Sequence, residues 1–428
     1  MKLVKQVLGN DLRRYTMVFV LVLILITFNI ISGGRMLTSQ NILNLLVGNT
    51  YVLILALGML MVIVVGHIDL SVGSVAGFVG MCVALSARDL GLPWAVAILA
   101  GLAIGALIGT WQGLWLSKIG IPGFITTLAG WMIFRGAVIW ISGSISIPVP
   151  PELRVLGSGY LPDWGREQTG LNLLTVLIGA VAIAVVVLLQ LRSRKRLAEV
   201  TGESQPLLPA VLQLVLVGLL IGYLTWLLAS GREGTSIPIP IIIVGALVIF
   251  YAILTQRTPF GRHVYAVGGN KAAAALSGVN VSRTYFLVML NMSILAALAG
   301  ILAAGRSTAA GPNDGNMWEL DAIASVFIGG AAVTGGIGTV GATVVGALVM
   351  ASINSGLMLM GVAQDRTQII KGLVLLAAVA LDVYNKRSGR DSITGRLLER
   401  KDQPKGTGTG AEPLTAAPAE PNRNGESQ

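Results

Sequence analysis

A chain of 428 residues that is 54% hydrophobic and only 12% charged is too apolar for a water-soluble globular protein. Its net charge of +10 does not mark a nucleic-acid binder, because the basic residues lie between apolar runs, not among aromatics on one polar domain. The single cysteine, Cys82, excludes an internal disulfide and leaves no thiolate metal site to build. Many runs reach the ~20 apolar residues that cross a bilayer, so we expect an all-α polytopic membrane protein of about 10–12 transmembrane helices.

The basic segment 1–15, with Lys2, Lys5, Arg13 and Arg14, precedes an apolar run from Thr16 to Ile31. That run is long for a signal-peptide core, and Ser32-Gly33-Gly34-Arg35 lacks a small-x-small cleavage pattern, so it reads as an uncleaved first span. A second run, Ile42 to Val65, ends at Gly66-His67-Ile68-Asp69-Leu70-Ser71-Val72-Gly73-Ser74. An acid bracketed by apolar residues is costly unless capped, paired or hydrated. Two compatible readings follow: Asp69 or Ser71 caps a helix over Val72 to Ser86, or the break lines a path through the membrane, as interrupted spans do in transporters. His67, standing alone, reads as a hydrogen-bonded structural residue and not as a metal ligand.

From Pro93 to Leu116, Gly101, Gly105, Gly109 and Gly113 recur every fourth residue and make a smooth ridge for close helix packing. Ile121 to Ile141 carries Thr126, Thr127, Trp131 and Arg135, followed by a polar, proline-bearing interval from Ser142 to Gly170. That interval is either a docking surface or a passive loop. Leu171 to Leu191 runs into Arg192-Ser193-Arg194-Lys195-Arg196, and Leu207 to Leu228 and Ile237 to Leu254 flank Gly231-Arg232-Glu233-Gly234. Thr284 to Gly305 leads to a turn-rich stretch, then Trp318-Glu319-Leu320-Asp321-Ala322-Ile323-Ala324, whose acids suit the positive end of a helix dipole. Leu320 to Thr334 is short for a span and reads as a tilted helix or half of a re-entrant pair. Val340 to Met360 and Ile369 to Val383 complete the set, the last flanked by Lys371 and Asp382. The glycines from Gly329 to Gly341 are not a phosphate loop, because no Gly-x4-Gly-Lys-Ser/Thr occurs in the chain. Beyond Asn385 too few apolar residues remain to offset ordering entropy, so 386–428 is expected to be a disordered tail.

The longest polar interval between two apolar runs is Gln256 to Arg283. Thr258-Pro259 disfavours a continuing helix, Gly268-Gly269 reads as a flexible turn, and Asn270 is a good N-cap for a helix Lys271 to Leu276. Gly278 stands where a left-handed residue ends it. A helix faced with alanine builds no core of its own. It is either a solvated connection or a plug for a groove in another protein.

Phe260-Gly261-Arg262-His263-Val264-Tyr265-Ala266-Val267-Gly268-Gly269-Asn270 followed by Leu276-Ser277-Gly278-Val279-Asn280-Val281 resembles the coupling segment of ATP-binding-cassette (ABC) sugar-importer permeases of the ribose/xylose/galactose type. Ile68-Asp69-Leu70-Ser71-Val72-Gly73-Ser74, Phe124 to Gly130 and Glu319 to Ala324 resemble further motifs of that family, and the matches extend from about Asn41 to Lys386. The resemblance implies that Phe260, Gly261, Arg262, Gly268, Gly269, Asn270, Lys271, Ala274, Leu276, Ser277 and Gly278 engage a separate ATPase subunit. It points to Asp69, Ser71, Thr126, Thr127, Trp131, Glu319 and Asp321 as pathway residues; for the threonines and Trp131, interhelical packing is the simpler reading. It further implies a permease homodimer, a periplasmic sugar-binding protein, no cofactor in this chain (ATP and Mg on the partner), and D-xylose as the favoured sugar.

Twelve crossings put both termini on one side, and ten plus a re-entrant pair give the same parity. The inner loops and tail then hold about 20 of the 30 Lys and Arg residues, against Arg35, Arg88, Arg154, Arg166, Arg232, Arg306 and Arg366 outside. That bias places the termini and the 256–283 loop in the cytoplasm of a bacterial inner-membrane protein. The rival reading, a twelve-span ion-coupled secondary sugar transporter, wants acids deep in the spans, and Asp69 is the main candidate. An intramembrane enzyme would want a catalytic pair, and His67 and His263 lie far apart in sequence.

Overall fold

In the computed structural model the structure describes residues 12–201, 207–231 and 234–387. The chain forms α1 (Leu12–Ile31), α2 (Ser39–Gly48), α3 (Thr50–Val64), α4 (Val72–Asp89), α5 (Trp94–Leu114) with a π-turn at Trp115–Ile119, and α6 (Gly123–Ser142). After β1 (Ile147–Pro148) come α7 (Pro151–Ser158), α8 (Arg166–Thr169), α9 (Leu173–Thr201), α10 (Leu207–Ala229) and α11 (Ile239–Arg257). Then follow α12 (Pro259–Gly269), α13 (Lys271–Leu276), α14 (Val281–Ser307), β2 (Ala309–Ala310), α15 (Trp318–Ile328), α16 (Val340–Leu359) and α17 (Gln364–Arg387). Contacts separate Met1–Asp382 from Val383–Gln428, and of the second unit only the end of α17 is described. Residues 1–11 of the leader and 388–428 of the expected tail lie outside the described residues, while Lys386 and Arg387, expected to open that tail, end α17.

Among the described residues, seven helices are long and apolar enough to cross a membrane, eight if α2 and α3 count as one bent span. The shorter apolar stretches Met17–Ile31 and Val217–Ala229 add to these. Eight spans and these two shorter helices make ten among the described residues, within the expected range of about 10–12. Leu320 to Thr334 supplies an 11-residue helix that ends at Gly329, and the run Ile42 to Val65 is not one rod but bends by 44° at Asn49.

The core forms around α3 and α14. α3 is apolar on all sides, and all but one of its residues are buried, which is the pattern of a helix enclosed by others. α14 packs against α3, α4, α5 and α7. It carries the chain from one end of the bundle, next to α13, to the other, where β2 pairs antiparallel with β1 through Ile147↔Ala310 and Pro148↔Ala309. The glycine ridge of α5 is the seam with α14: a Cβ on Gly105 would stand 2.5 Å from the Ala297 Cβ, and one on Gly109 2.8 Å from the Leu290 Cα. Small residues let the two backbones approach to where dispersion contacts are dense.

At the β1–β2 end, the interval 142–170 is not a passive loop. Its β1 and α7 pack into the bundle, and its polar part folds onto Gly231 and residues 234–239. Arg166 bonds the carbonyls of Gly231 and Thr235 and pairs with Asp163 at 2.8 Å. Asp163 also accepts from Asn172 and from the Gly234 N–H. Burial pushes the Asp163 carboxyl up, but the Arg166, Gly234 and Asn172 hydrogen bonds outweigh it and hold its pKa below the ordinary value.

Candidate functional site

The 256–283 segment is helical over most of its length. Thr258 caps α12 by accepting from the Gly261 N–H at 3.2 Å, with Pro259 at the first helical position, where its missing N–H costs nothing. Gly268 and Gly269 are therefore the last turn of a helix, not a flexible turn. The sequence reading missed this because two adjacent glycines weaken a helix, yet here close packing requires the first of them. A Cβ on Gly268 would stand 1.7 Å from the Val64 carbonyl oxygen, whereas one on Gly269 meets nothing within 4 Å. α12 buries Gly261, Val264 and Val267 along one face. Tyr265 donates to the Gly338 carbonyl at 2.7 Å, and burial raises its phenol pKa.

Asn270 caps α13 by accepting from the Ala273 N–H at 3.0 Å, and Gly278 closes it at φ +84°, both as the sequence indicated. Ala274 is the one buried residue of α13. Leu276 is 91% exposed, and Gly269, Asn270, Lys271, Ser277, Gly278 and Arg262 are exposed with it, while Phe260 is half-buried. A short helix anchored by one alanine, with a leucine in solvent, is a projection and not part of this chain's core.

The α12–α13 segment touches the break between α3 and α4. The Gly336 N–H donates to the Val64 carbonyl at 2.8 Å, beside Gly268. Lys271 places its ammonium 5.5 Å from the centre of the Tyr285 ring, and Tyr285 meets His67 edge-on at 4.6 Å. Two residues on, Asp69 is fully buried and accepts from the Ser71 N–H at 2.8 Å and the Ser71 hydroxyl at 2.6 Å. Asp69 thus holds the turn entering α4 and is not its N-cap, a position that Ser71 takes. Gln112 of α5 donates to the Ser71 hydroxyl at 2.7 Å. Thr127 bonds the Gly123 and Ile68 carbonyls, and Thr126 bonds the Pro122 carbonyl. Trp131 is half-buried on α6.

The first turn of α15 sends three side chains into three surroundings. It starts from Met317 at φ +64°, an uncommon backbone state for a non-glycine residue that clusters at functional sites. Trp318 stacks on Tyr51, rings 4.1 Å apart. Glu319 lies against the start of α4, where a Cβ on Gly73 would come within 2.3 Å of its Oε2. Asp321 pairs with Lys371 of α17 at 2.5 Å and accepts from Tyr51 at 3.0 Å and Asn354 at 3.3 Å. Asp321 is therefore a partnered charge where α3, α15, α16 and α17 meet.

Asp69, Ser71, Gln112 and Glu319 gather where α4 begins, with Arg135 of α6 reaching the Pro312 and Asp314 carbonyls. Asp69 Oδ2, Gln112 Oε1, Glu319 Oε2 and two guanidinium nitrogens of Arg135 make no hydrogen bond within the described residues. Burial lifts the Asp314 carboxyl above its ordinary pKa, against the Gly311 N–H and Arg135, which lower it. The sequence singled out Asp69, Ser71 and Glu319 by motif. It gave no sign of Gln112, whose role depends on a partner 41 residues away, nor of Tyr51. Among the described residues no group of three or more His, Cys, Asp and Glu side chains could hold a metal.

Residues 41–379 match the family model described as branched-chain amino acid transport system / permease component. The xylose transport system permease protein of Haemophilus influenzae is 37% identical over 88% of this chain and 98% of its own. That of Escherichia coli K12 is 36% identical over 88% and 93%, and the ribose import permease protein of the same strain 30% identical over 85% and 92%. No solved structure matches the chain. With nearly its whole helical bundle covered, the chain belongs to the family of branched-chain amino acid transport system permease components and is a multi-pass membrane protein, not itself an enzyme.

Proposed function

We propose that this chain is the membrane-spanning subunit of a binding-protein-dependent ABC importer that carries a monosaccharide, D-xylose first. The observation that carries the reading is the α12–α13 projection: it is shaped to dock elsewhere and wired to the α3–α4 break. The sugar assignment rests on the relatives, which are named for xylose and ribose, although the family description names branched-chain amino acids. The basic bias of the loops supports an inner-membrane protein with α12, α13 and both termini in the cytoplasm.

In this reading an ATPase subunit seats α13 in a groove, with Leu276 as the apolar contact and Lys271 and Arg262 at the rim. ATP and Mg belong to that partner. Its closure moves α12, and because Gly268 lies on the Val64 carbonyl the movement reaches the chain entering Asp69 without a flexible link. The polar groups at the start of α4 then face the sugar alternately from the two sides. A periplasmic binding protein delivers the sugar at the β1–β2 end, and a second copy of the chain completes the channel.

The test is to purify the tagged chain gently from its own cells, identify what accompanies it, and reconstitute that assembly in proteoliposomes. The reading predicts an ATPase with two nucleotide domains and ATP-dependent xylose uptake. A chain that comes alone and moves sugar on a proton gradient refutes it, and uptake of leucine in place of sugars refutes the substrate.

A further inference from the structure

The bend at Asn49 between α2 and α3 opens onto a cleft of about 130 Å³. Gly48, Thr50 and Tyr51 line it from the bend, Arg306 and Ser307 from the last turn of α14, and Trp318 from the start of α15. Two interrupted elements, the bent pair and the short α15, thus meet at one cavity. Transporters build solute sites in this way, because an interrupted helix brings backbone polar groups and side chains to one point within the membrane. At ~30 Å³ per water this volume holds about four waters, so a pentose would seat one face in the cleft and leave the remainder at its open mouth.

The lining has the chemistry a sugar requires. Tyr51 and Trp318 stack at 4.1 Å with 24° between their planes, which fixes both rings and presents a stiff apolar edge to the cavity. A C–H face of a sugar ring would pack there. Arg306 presses its guanidinium against Gly48, where a Cβ would meet Nη2 at 3.0 Å, and it makes no hydrogen bond to the described residues. Asp314, also in the lining, spends Oδ2 on the Gly311 N–H, leaving acceptor capacity on the same carboxylate. A free donor, a carboxylate acceptor and an aromatic platform around one cavity suit a neutral, hydroxylated ring.

We propose that this cleft, at the end of the bundle opposite α13, is a station at which a monosaccharide rests on Tyr51 and Trp318 before it crosses. The proposal rests on the transport reading above and names a site for it. The hydroxyl of Tyr51 also bonds Asp321, so an occupied platform sits one side chain from the Asp321–Lys371 pair.

The experiment uses the permease–ATPase complex in nanodiscs, with Ser307→Cys in a Cys82→Ala background and a charged methanethiosulfonate as probe. Millimolar D-xylose, but not equimolar glycerol, is expected to slow modification at position 307 several-fold. Adding Trp318→Leu should remove that protection, and Trp318→Phe, which restores a ring, should keep it. A modification rate equal with and without xylose overturns the station, as does full protection in Trp318→Leu. The same complex is assayed for ATP-driven uptake with the binding protein. Uptake without protection defeats the station alone, whereas a parent complex that moves no monosaccharide defeats the transport reading and the station together.

Discussion

Replacing Gly268 by alanine should uncouple the protein, and replacing its neighbour Gly269 should not. A Cβ at position 268 would stand 1.7 Å from the Val64 carbonyl oxygen and 2.8 Å from the Gly336 nitrogen. Both obstacles are backbone, so neither can swing aside. To reach an ordinary contact α12 must retreat from α3 by more than about 1 Å, a displacement that close-packed interiors resist. The retreat separates α12 from the Gly336 N–H···Val64 bond of 2.8 Å and from the Tyr265 bond to Gly338. Overpacking costs about 1–3 kcal/mol and a lost hydrogen bond about 0.5–1.5 kcal/mol, which together give about 1.5–4.5 kcal/mol for Gly268→Ala. Gly269→Ala has open space and should be neutral or stabilising by up to about 1 kcal/mol. Equilibrium denaturation in mixed micelles measures the first quantity, and ATP hydrolysis per sugar imported measures the coupling. If Gly268→Ala matches Gly269→Ala in both, α12 does not transmit through its backbone contact with Val64.

Lys371→Met should cost about 3–5 kcal/mol, because it strands the buried Asp321 carboxylate, and Asp321→Asn with Lys371→Met should recover most of it; additive losses in a denaturation cycle would show that the pair is not coupled. Leu276→Asp should leave the isolated permease within about 0.5 kcal/mol of its parent and weaken ATPase binding about tenfold or more, read by titrating the ATPase onto immobilised permease. Gly109→Leu should cost about 1–3 kcal/mol by overpacking the α5–α14 seam, measured in the same micelle assay. The Asp163 carboxyl lies below its ordinary pKa of 3.8 despite burial. Its contribution to stability is thus complete above 3.8 and is lost as the pH falls through the depressed value. Limited proteolysis of residues 142–170 should show loosening on acidification, and Asp163→Asn should remove that dependence.

What the sequence disclosed and what it hid follow one division. Local signals survived intact: Asn270 as a cap, Gly278 as a left-handed stop and the four-residue glycine ridge depend on neighbours within a turn or two. The readings that needed correction all turn on long-range contact. Gly268-Gly269 looked like a hinge because the Val64 carbonyl that requires a glycine there lies about 200 residues away in the chain. The pairing of Asp321 with Lys371, which was itself read only as flanking the last span, stayed hidden because the two lie 50 positions apart. Asn49 gave no sign of a bend, since the run from Ile42 to Val65 is apolar on both sides of it. The break there is supported tertiarily, by the Asn354 amide on the Asn49 side chain at 3.0 Å. Thr126, Thr127, Asp69 and Ser71 were found by motif, and the structure separates them: the threonines bond carbonyls of their own helix and of Ile68, while Asp69 and Ser71 join Gln112.

The same division explains why the site sits at helix interruptions. Within a membrane a polar backbone is tolerated only where it is enclosed by protein or lines a cavity. Among the described residues, three such places meet: the bend at Asn49, the turn from Gly66 to Ser71, and residues 329–339 after α15. They are not independent. Val64, at the lip of the second, accepts from Gly336 in the third, and Gly268 lies against that same carbonyl. α15, which ends at the third, begins with Trp318 stacked on Tyr51 beside the first. An element displaced at α12 therefore meets the second and third interruptions at once through backbone contacts, and reaches the first through one eleven-residue helix. A helix of that length is about 16 Å of rigid rod. In the proposed cycle it is this rod, and not any side-chain relay, that joins the docking projection to the cleft at the opposite end.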